Sequence, residues 1–150
     1  MYNSMIKSSS YKNKDDLAEH QFQQNQPLHF RFGLPGFESL REFRVINKKE
    51  IAPFAILQSL DEPRVSMIII NIKYLPVQKQ IRRVLMDANR ITPEKLRKID
   101  VYVILKVSAD KQRLTANAKA PLLIDWERLA GQQLVLERDD LPLEYHLNKV

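Results

Sequence analysis

The apolar residues of this chain come in short runs, and each run is closed by a turn signal. Leu28, Phe30 and Phe32 alternate with His29 and Arg31, the two-residue period of a strand. Gly33-Leu34-Pro35-Gly36 then makes the chain turn, because two glycines and a proline cannot continue a strand. Phe43-Arg44-Val45-Ile46 reads as a second strand. Pro53 to Leu60 is mostly apolar and stops at Asp61-Glu62-Pro63. Val65 to Ile72 is the most β-branched stretch and predicts a central strand buried on both faces. Val101 to Val107 is another strand and Leu114-Thr115-Ala116 a short one. Pro121 to Ile124 and Gln133 to Leu136 are two more, separated by a loop that contains Gly131, and Leu143 to His146 is a last extended piece. About eight short strands predict a mostly β fold, a small antiparallel barrel-like or sandwich domain.

One or two short helices interrupt the strands. Val77, Ile81, Val84, Leu85 and Ala88 recur at three- and four-residue steps, with Lys79, Arg82, Arg83 and Arg90 largely on the other side. That pattern suits an amphipathic helix, with a short strand through Gln80-Ile81-Arg82 as the competing reading. Thr92-Pro93-Glu94 is a helix start, with Thr as cap, Pro in the first turn and an acid near the positive end of the dipole. Residues 1–26 are rich in Ser, Asn, Gln and Lys without sustained periodicity, and read as a flexible polar arm ahead of a β domain at 27–150.

The formal net charge of +6 has one source. From Lys73 to Lys98 there are eight basic residues against two acidic ones, and the rest of the chain is balanced at 16 of each. Such a block is a solvated helix face, a docking face for an acidic protein, or a nucleic-acid contact with Tyr74 and Tyr102 as nearby stacking platforms. No cysteine is present, so disulfides and thiolate chemistry are excluded. The first ten residues lack the apolar run of a secretory signal, and no stretch approaches the roughly 18 apolar residues of a membrane span. The expectation is a cytoplasmic protein without membrane contact.

Catalytic motifs are missing. His20, His29 and His146 show no metal-ligand spacing, and His29 falls on the solvent side of its strand. The chain has no GxSxG, Walker or GxGxxG pattern, and its three glycines leave little for a phosphate cradle. The expectation is a non-enzyme with no metal and no cofactor.

Four motifs carry a resemblance. Gly33-Leu34-Pro35-Gly36-Phe37-Glu38 resembles the GLPGFE segment of the flagellar assembly factor FliW family. Pro53 to Asp61 resembles that family's PFxxLQSxD segment, and Thr115 to Ile124 its TxNLxAPxxI segment, with Ala118 where Leu is usual. Gly131-Gln132-Gln133 with Leu134-Val135-Leu136 resembles its GxQ-plus-strand ending. The motifs stand in the family's order, although the family's opening hairpin is not recognisable here. Gly33, Pro35, Gly36, Phe37, Pro53, Phe54, Pro121, Gly131 and Gln133 are the motif positions read as structural, with Phe37 and Phe54 expected in the core.

The resemblance implies a protein-binding switch: members bind the translational repressor CsrA and also bind flagellin, which releases the repressor. The polar candidates for partner contact are Gln58, Ser59, Asp61 and Asn117, together with Arg82 and Arg83 of the basic block. Turn and cap chemistry is the competing role for the first four. The alternative function is a small RNA- or single-strand-binding barrel that uses residues 73–98.

Overall fold

The computed structural model describes residues 25–88, 91–138 and 140–147. The arm expected at 1–26 lies outside them except for Asn25 and Gln26. The strands are β1 (Leu28–Phe30), β2 (Glu42–Asn47), β3 (Phe54–Ser59), β4 (Ser66–Asn71), β5 (Asp100–Val107), β6 (Leu114–Ala116), β7 (Leu122–Asp125), β8 (Ala130–Gln133) and β9 (Tyr145–His146). Two helices, α1 (Gln78–Asp87) and α2 (Pro93–Lys98), fill the stretch between β4 and β5. The helix reading of residues 77–88 therefore holds over the strand reading, and Thr92 caps α2 by accepting the Lys95 N–H at 3.1 Å.

Seven strands close into a barrel in the order β1-β2-β3-β4-β5-β7-β8 and back to β1. The pairs are antiparallel except β1 with β8, which is parallel. β5 is shared along its length. Asp100 to Tyr102 pairs with β7, and Leu105 to Val107 runs on beside β6, which carries β9.

The wall made by β4 and β5 explains why these segments are so apolar. Successive side chains of a strand point to opposite faces. Ile69 and Tyr102 face the barrel interior, with Leu28, Phe30, Phe43, Val45, Leu57, Leu122 and Ile124. Ile70, Val101 and Val103 face outward and meet Ile81, Val84 and Leu85 of α1 and Leu96 of α2. The helices thus cover one side of the barrel as a second layer. Each fully buried aliphatic side chain here contributes roughly 1.5–3 kcal/mol of transfer free energy.

Several expectations are corrected. Continuous burial in the 65–72 run is confined to Ile69, Ile70, Asn71 and Ile72, because β4 outruns its pairing with β5, and Ile68 is 43% exposed. Phe32 is not part of β1; the chain has already turned, and the residue is 63% exposed. Phe37 is also outside the core, 41% exposed, whereas Leu34 of the same motif is buried. Phe54 is half-buried against the helical layer. The last long strand is shifted: Gly131 belongs to β8, and Val135 is exposed.

Gly131 is where the barrel closes. Its register partner across the parallel pair is Phe30, and a Cβ at Gly131 would overlap the Phe30 ring. Phe30 is fully buried and packs edge-on against Phe43 with centroids 5.0 Å apart, so the ring has no room to withdraw. Gly131→Ala is therefore expected to destabilise the fold by about 1–3 kcal/mol, as overpacking does. Urea midpoints would show this loss, and a Phe30→Leu background would reduce it; equal losses in both backgrounds would mean the ring is not the obstacle.

Candidate functional site

One end of the barrel is built from two of the sequence motifs. The β1–β2 loop starts with Gly33, whose φ of +64° and lack of side chain are both required: a Cβ would stand 2.7 Å from the Glu38 carbonyl oxygen. The loop folds on itself through the Phe37 N–H to the Leu34 carbonyl at 2.7 Å and the Leu40 N–H to the Phe37 carbonyl at 3.0 Å. Leu34 and Leu40 are the apolar residues that dock inward, which leaves Phe37 outside. Pro35 and Gly36 form the exposed tip.

The β3–β4 turn is tied to this loop by Asp61. Its carboxylate accepts the backbone N–H of Arg41 at 2.9 Å and of Glu42 at 3.1 Å. Those two N–H groups hold the Asp61 carboxyl below the ordinary aspartate range. Ser59 is fully buried and its Oγ accepts the Glu62 N–H at 2.9 Å, so its hydroxyl shapes the turn from inside. Gln58 accepts from Arg44 Nε at 2.9 Å and donates to the Pro63 carbonyl at 3.0 Å. The polar residues of this motif are thus committed to the turn. Three large apolar side chains, Phe32, Phe37 and Leu60, are exposed at this end, among the exposed charges of Arg31, Glu38, Arg41 and Glu62.

Beside the loop runs a groove of about 460 Å³ between β1, the β7–β8 hairpin and α2. Ile99, Leu123, Ala130 and Gly131 line it together with Phe32, Arg31, Lys95, Asp125 and Arg128. Asp125 organises its charge. Its Oδ1 accepts the backbone N–H groups of Glu127 and Arg128, and its Oδ2 meets Arg128 at 2.9 Å and Lys95 at 3.1 Å. Partial desolvation alone would raise this carboxyl; the Arg128 backbone N–H and guanidinium and the Lys95 ammonium outweigh it and bring it down to about 2. No local sequence pattern marks Arg31, Phe32, Lys95, Asp125 and Arg128 as a group, because they come from three separate elements. The turn after Phe30 was the available signal for Phe32.

The remaining candidates lie elsewhere. Asn117 accepts the Lys119 N–H at 3.1 Å and shapes the β6–β7 loop, where Pro121 is buried and Gln133 donates to the Ala120 carbonyl at 2.9 Å. Pro53 follows a cis peptide bond and leads into β3. Arg82 and Arg83 lie on α1, with Arg83 exposed and Arg82 half-exposed. Among the described residues no hydrogen bond or ion pair links Asn117, Arg82 or Arg83 to the Asp61 turn. Tyr102 is buried in the barrel, which removes one of the two stacking platforms of the nucleic-acid alternative. Among the described residues no group of three or more His, Asp or Glu could hold a metal, and no helix is long and apolar enough to cross a membrane.

Fold and surface define a small closed β-barrel with a helical layer on one wall and loops at one end that expose Phe32, Phe37 and Leu60. The FliW protein family model matches residues 12–147, and the chain belongs to that family. A flagellar assembly factor FliW of Thermosipho africanus is 31% identical over 89% of this chain and 92% of its own length. One from Clostridium botulinum is 24% identical over 85% of this chain and 90% of its own. A crystal structure of the flagellar assembly factor FliW superposes with a TM-score of 0.63 at 27% identity, covering 83% of this chain and 88% of that one.

Asp125 gives a pH test with a definite sign. Its folded carboxyl is lowered from 3.8 to about 2, so its contribution to stability is complete above the unfolded value and is lost as pH falls through the folded one. Asp125→Asn should cost stability near neutral pH, and the gap between variant and native urea midpoints should close between about pH 4 and 2. A gap independent of pH would mean the carboxylate charge is not what holds Arg128 and Lys95.

Proposed function

We propose that this chain is a cytoplasmic protein-binding regulator of flagellin synthesis. It sequesters a CsrA-type translational repressor and so keeps it off the flagellin message. Flagellin binds the same regulator and, as it accumulates, releases the repressor. Mass action is sufficient for the switch: two ligands coupled on one protein make free repressor track free flagellin. The switch needs no catalysis, cofactor or nucleic-acid contact by this chain.

Membership in a family of flagellar assembly factors is the observation that carries this reading. The surface at the loop end supports it. Phe32, Phe37 and Leu60 are exposed on segments fixed by Asp61 and by the internal hydrogen bonds of the loop. Rigid exposed aromatics supply contact area with little ordering cost, which is the character of an interface anchor. The bonds of Gln58, Ser59 and Asp61 give these residues a supporting role behind that surface.

Calorimetric titration with the repressor and with flagellin from the same cell tests the reading. Micromolar or tighter binding of both, with one displacing the other, is expected. Absence of binding to either would overturn the switch. Phe37→Ser should weaken at least one of the two by about tenfold or more, the loss of an interface anchor. Its melting temperature should stay unchanged, since Phe37 lies outside the core.

A further inference from the structure

The groove beside Phe32 has the chemistry of a peptide site. β1 pairs with β8 only through His29–Ala130 and Phe30–Gly131, whereas β8 stays paired with β7 through Gln132 and Gln133. On the β1 side these two residues have no strand neighbour among the described residues. β1 has turned away at Arg31, which leaves the groove open along this edge. An exposed strand edge of this kind recruits extended chain, with main-chain bonds for affinity and side-chain pockets for selectivity.

Charge decides the kind of segment. Asp125 is the groove's one carboxylate, and its oxygens already serve Arg128, Lys95 and two backbone N–H groups. Arg128 and Lys95 share that single negative charge. Arg31 has no carboxylate partner among the described residues, and its guanidinium lies 5.3 Å from the centre of the Phe32 ring. The rim therefore carries an excess of positive charge over an apolar floor of Ile99, Leu123 and Ala130. Guanidinium forks match carboxylates in geometry as well as sign.

We propose that this groove holds an extended acidic segment of a partner protein, laid beside β8 past Gly131, with an apolar side chain on the floor and carboxylates at Arg31 and Arg128. The proposal rests on the protein-binding reading above and adds where such a segment sits. One exposed ring is too little for a run of stacked bases, which sets a nucleic-acid strand aside.

Selection from a random peptide display library on the immobilised full-length chain tests it without either named protein. Enriched peptides should carry an apolar residue flanked by Asp or Glu. Their affinity should fall about tenfold or more in Arg31→Glu and in Arg128→Glu, the effect of losing a charge-assisted bond. Arg82→Glu/Arg83→Glu should leave it unchanged. Arg31 is exposed, so its variant reports on binding even where loss of the Asp125 pair weakens the Arg128 variant. The proposal is overturned by no enrichment, by peptides without acidic bias, by binding that survives Arg31→Glu, or by displacement with oligouridine at equal concentration. Self-association that Arg31→Glu abolishes would place a second copy in the groove and overturn it as well. Repressor and flagellin titrations are read separately, so their failure would leave a successful selection standing.

Discussion

The ring of Phe30 lies where Gly131 has no side chain, and on that contact the barrel closes. Without it β1 and β8 could not approach in parallel, and the remaining strands would form an open sheet with two unpaired edges. Closure does more than remove edges. It brings the start of the Gly33-to-Leu40 loop next to the β7–β8 hairpin, so Phe32 and the cationic groove are neighbours. A single missing methyl group thus decides both a topological feature and the position of the candidate binding surfaces.

The second dependency is the double-faced wall of β4 and β5. Ile69 and Tyr102 complete the barrel interior while Ile70, Val101 and Val103 seat the helices outside it. α1 would have little reason to be helical alone. Lys79 and Arg83 are like charges at i,i+4, and Lys79 stands near the positive end of the helix dipole; each arrangement costs a few tenths of a kcal/mol. The burial of Ile81, Val84 and Leu85 offsets those terms several times over. Tertiary packing, not intrinsic propensity, holds the basic helix in place.

How much of this was legible in the sequence follows from the range of each interaction. Local signals read well. The alternation of Leu28 and Phe30, the Thr92-Pro93 helix start, the three-four period from Val77 to Leu85 and the β-branched run before Asn71 each report on a few neighbouring residues. Long-range geometry did not. The parallel pairing of β1 with β8 joins residues about a hundred positions apart, and no local pattern encodes it, so Gly131 reads locally as a loop glycine. An aromatic such as Phe37 reads as a core residue because aromatics usually are buried, but Leu34 and Leu40 already occupy the inward positions of its loop. Gln58, Ser59 and Asp61 do form one group, but their hydrogen bonds serve the β3–β4 turn and the adjoining loop, and no local pattern marks the exposed Phe37 and Leu60 beside them.

This member of the FliW family pairs a closed barrel with a hydrogen-bonded loop end that exposes Phe32, Phe37 and Leu60, and the proposed partner surface is this end, not the basic face of α1. Hydrogen–deuterium exchange of the full chain, with and without saturating repressor, tests that assignment most directly. The account predicts new protection in the segments 31–42 and 59–63, with the exposed face of α1 unchanged. Protection confined to α1, with the loop end exchanging as freely as before, would contradict it.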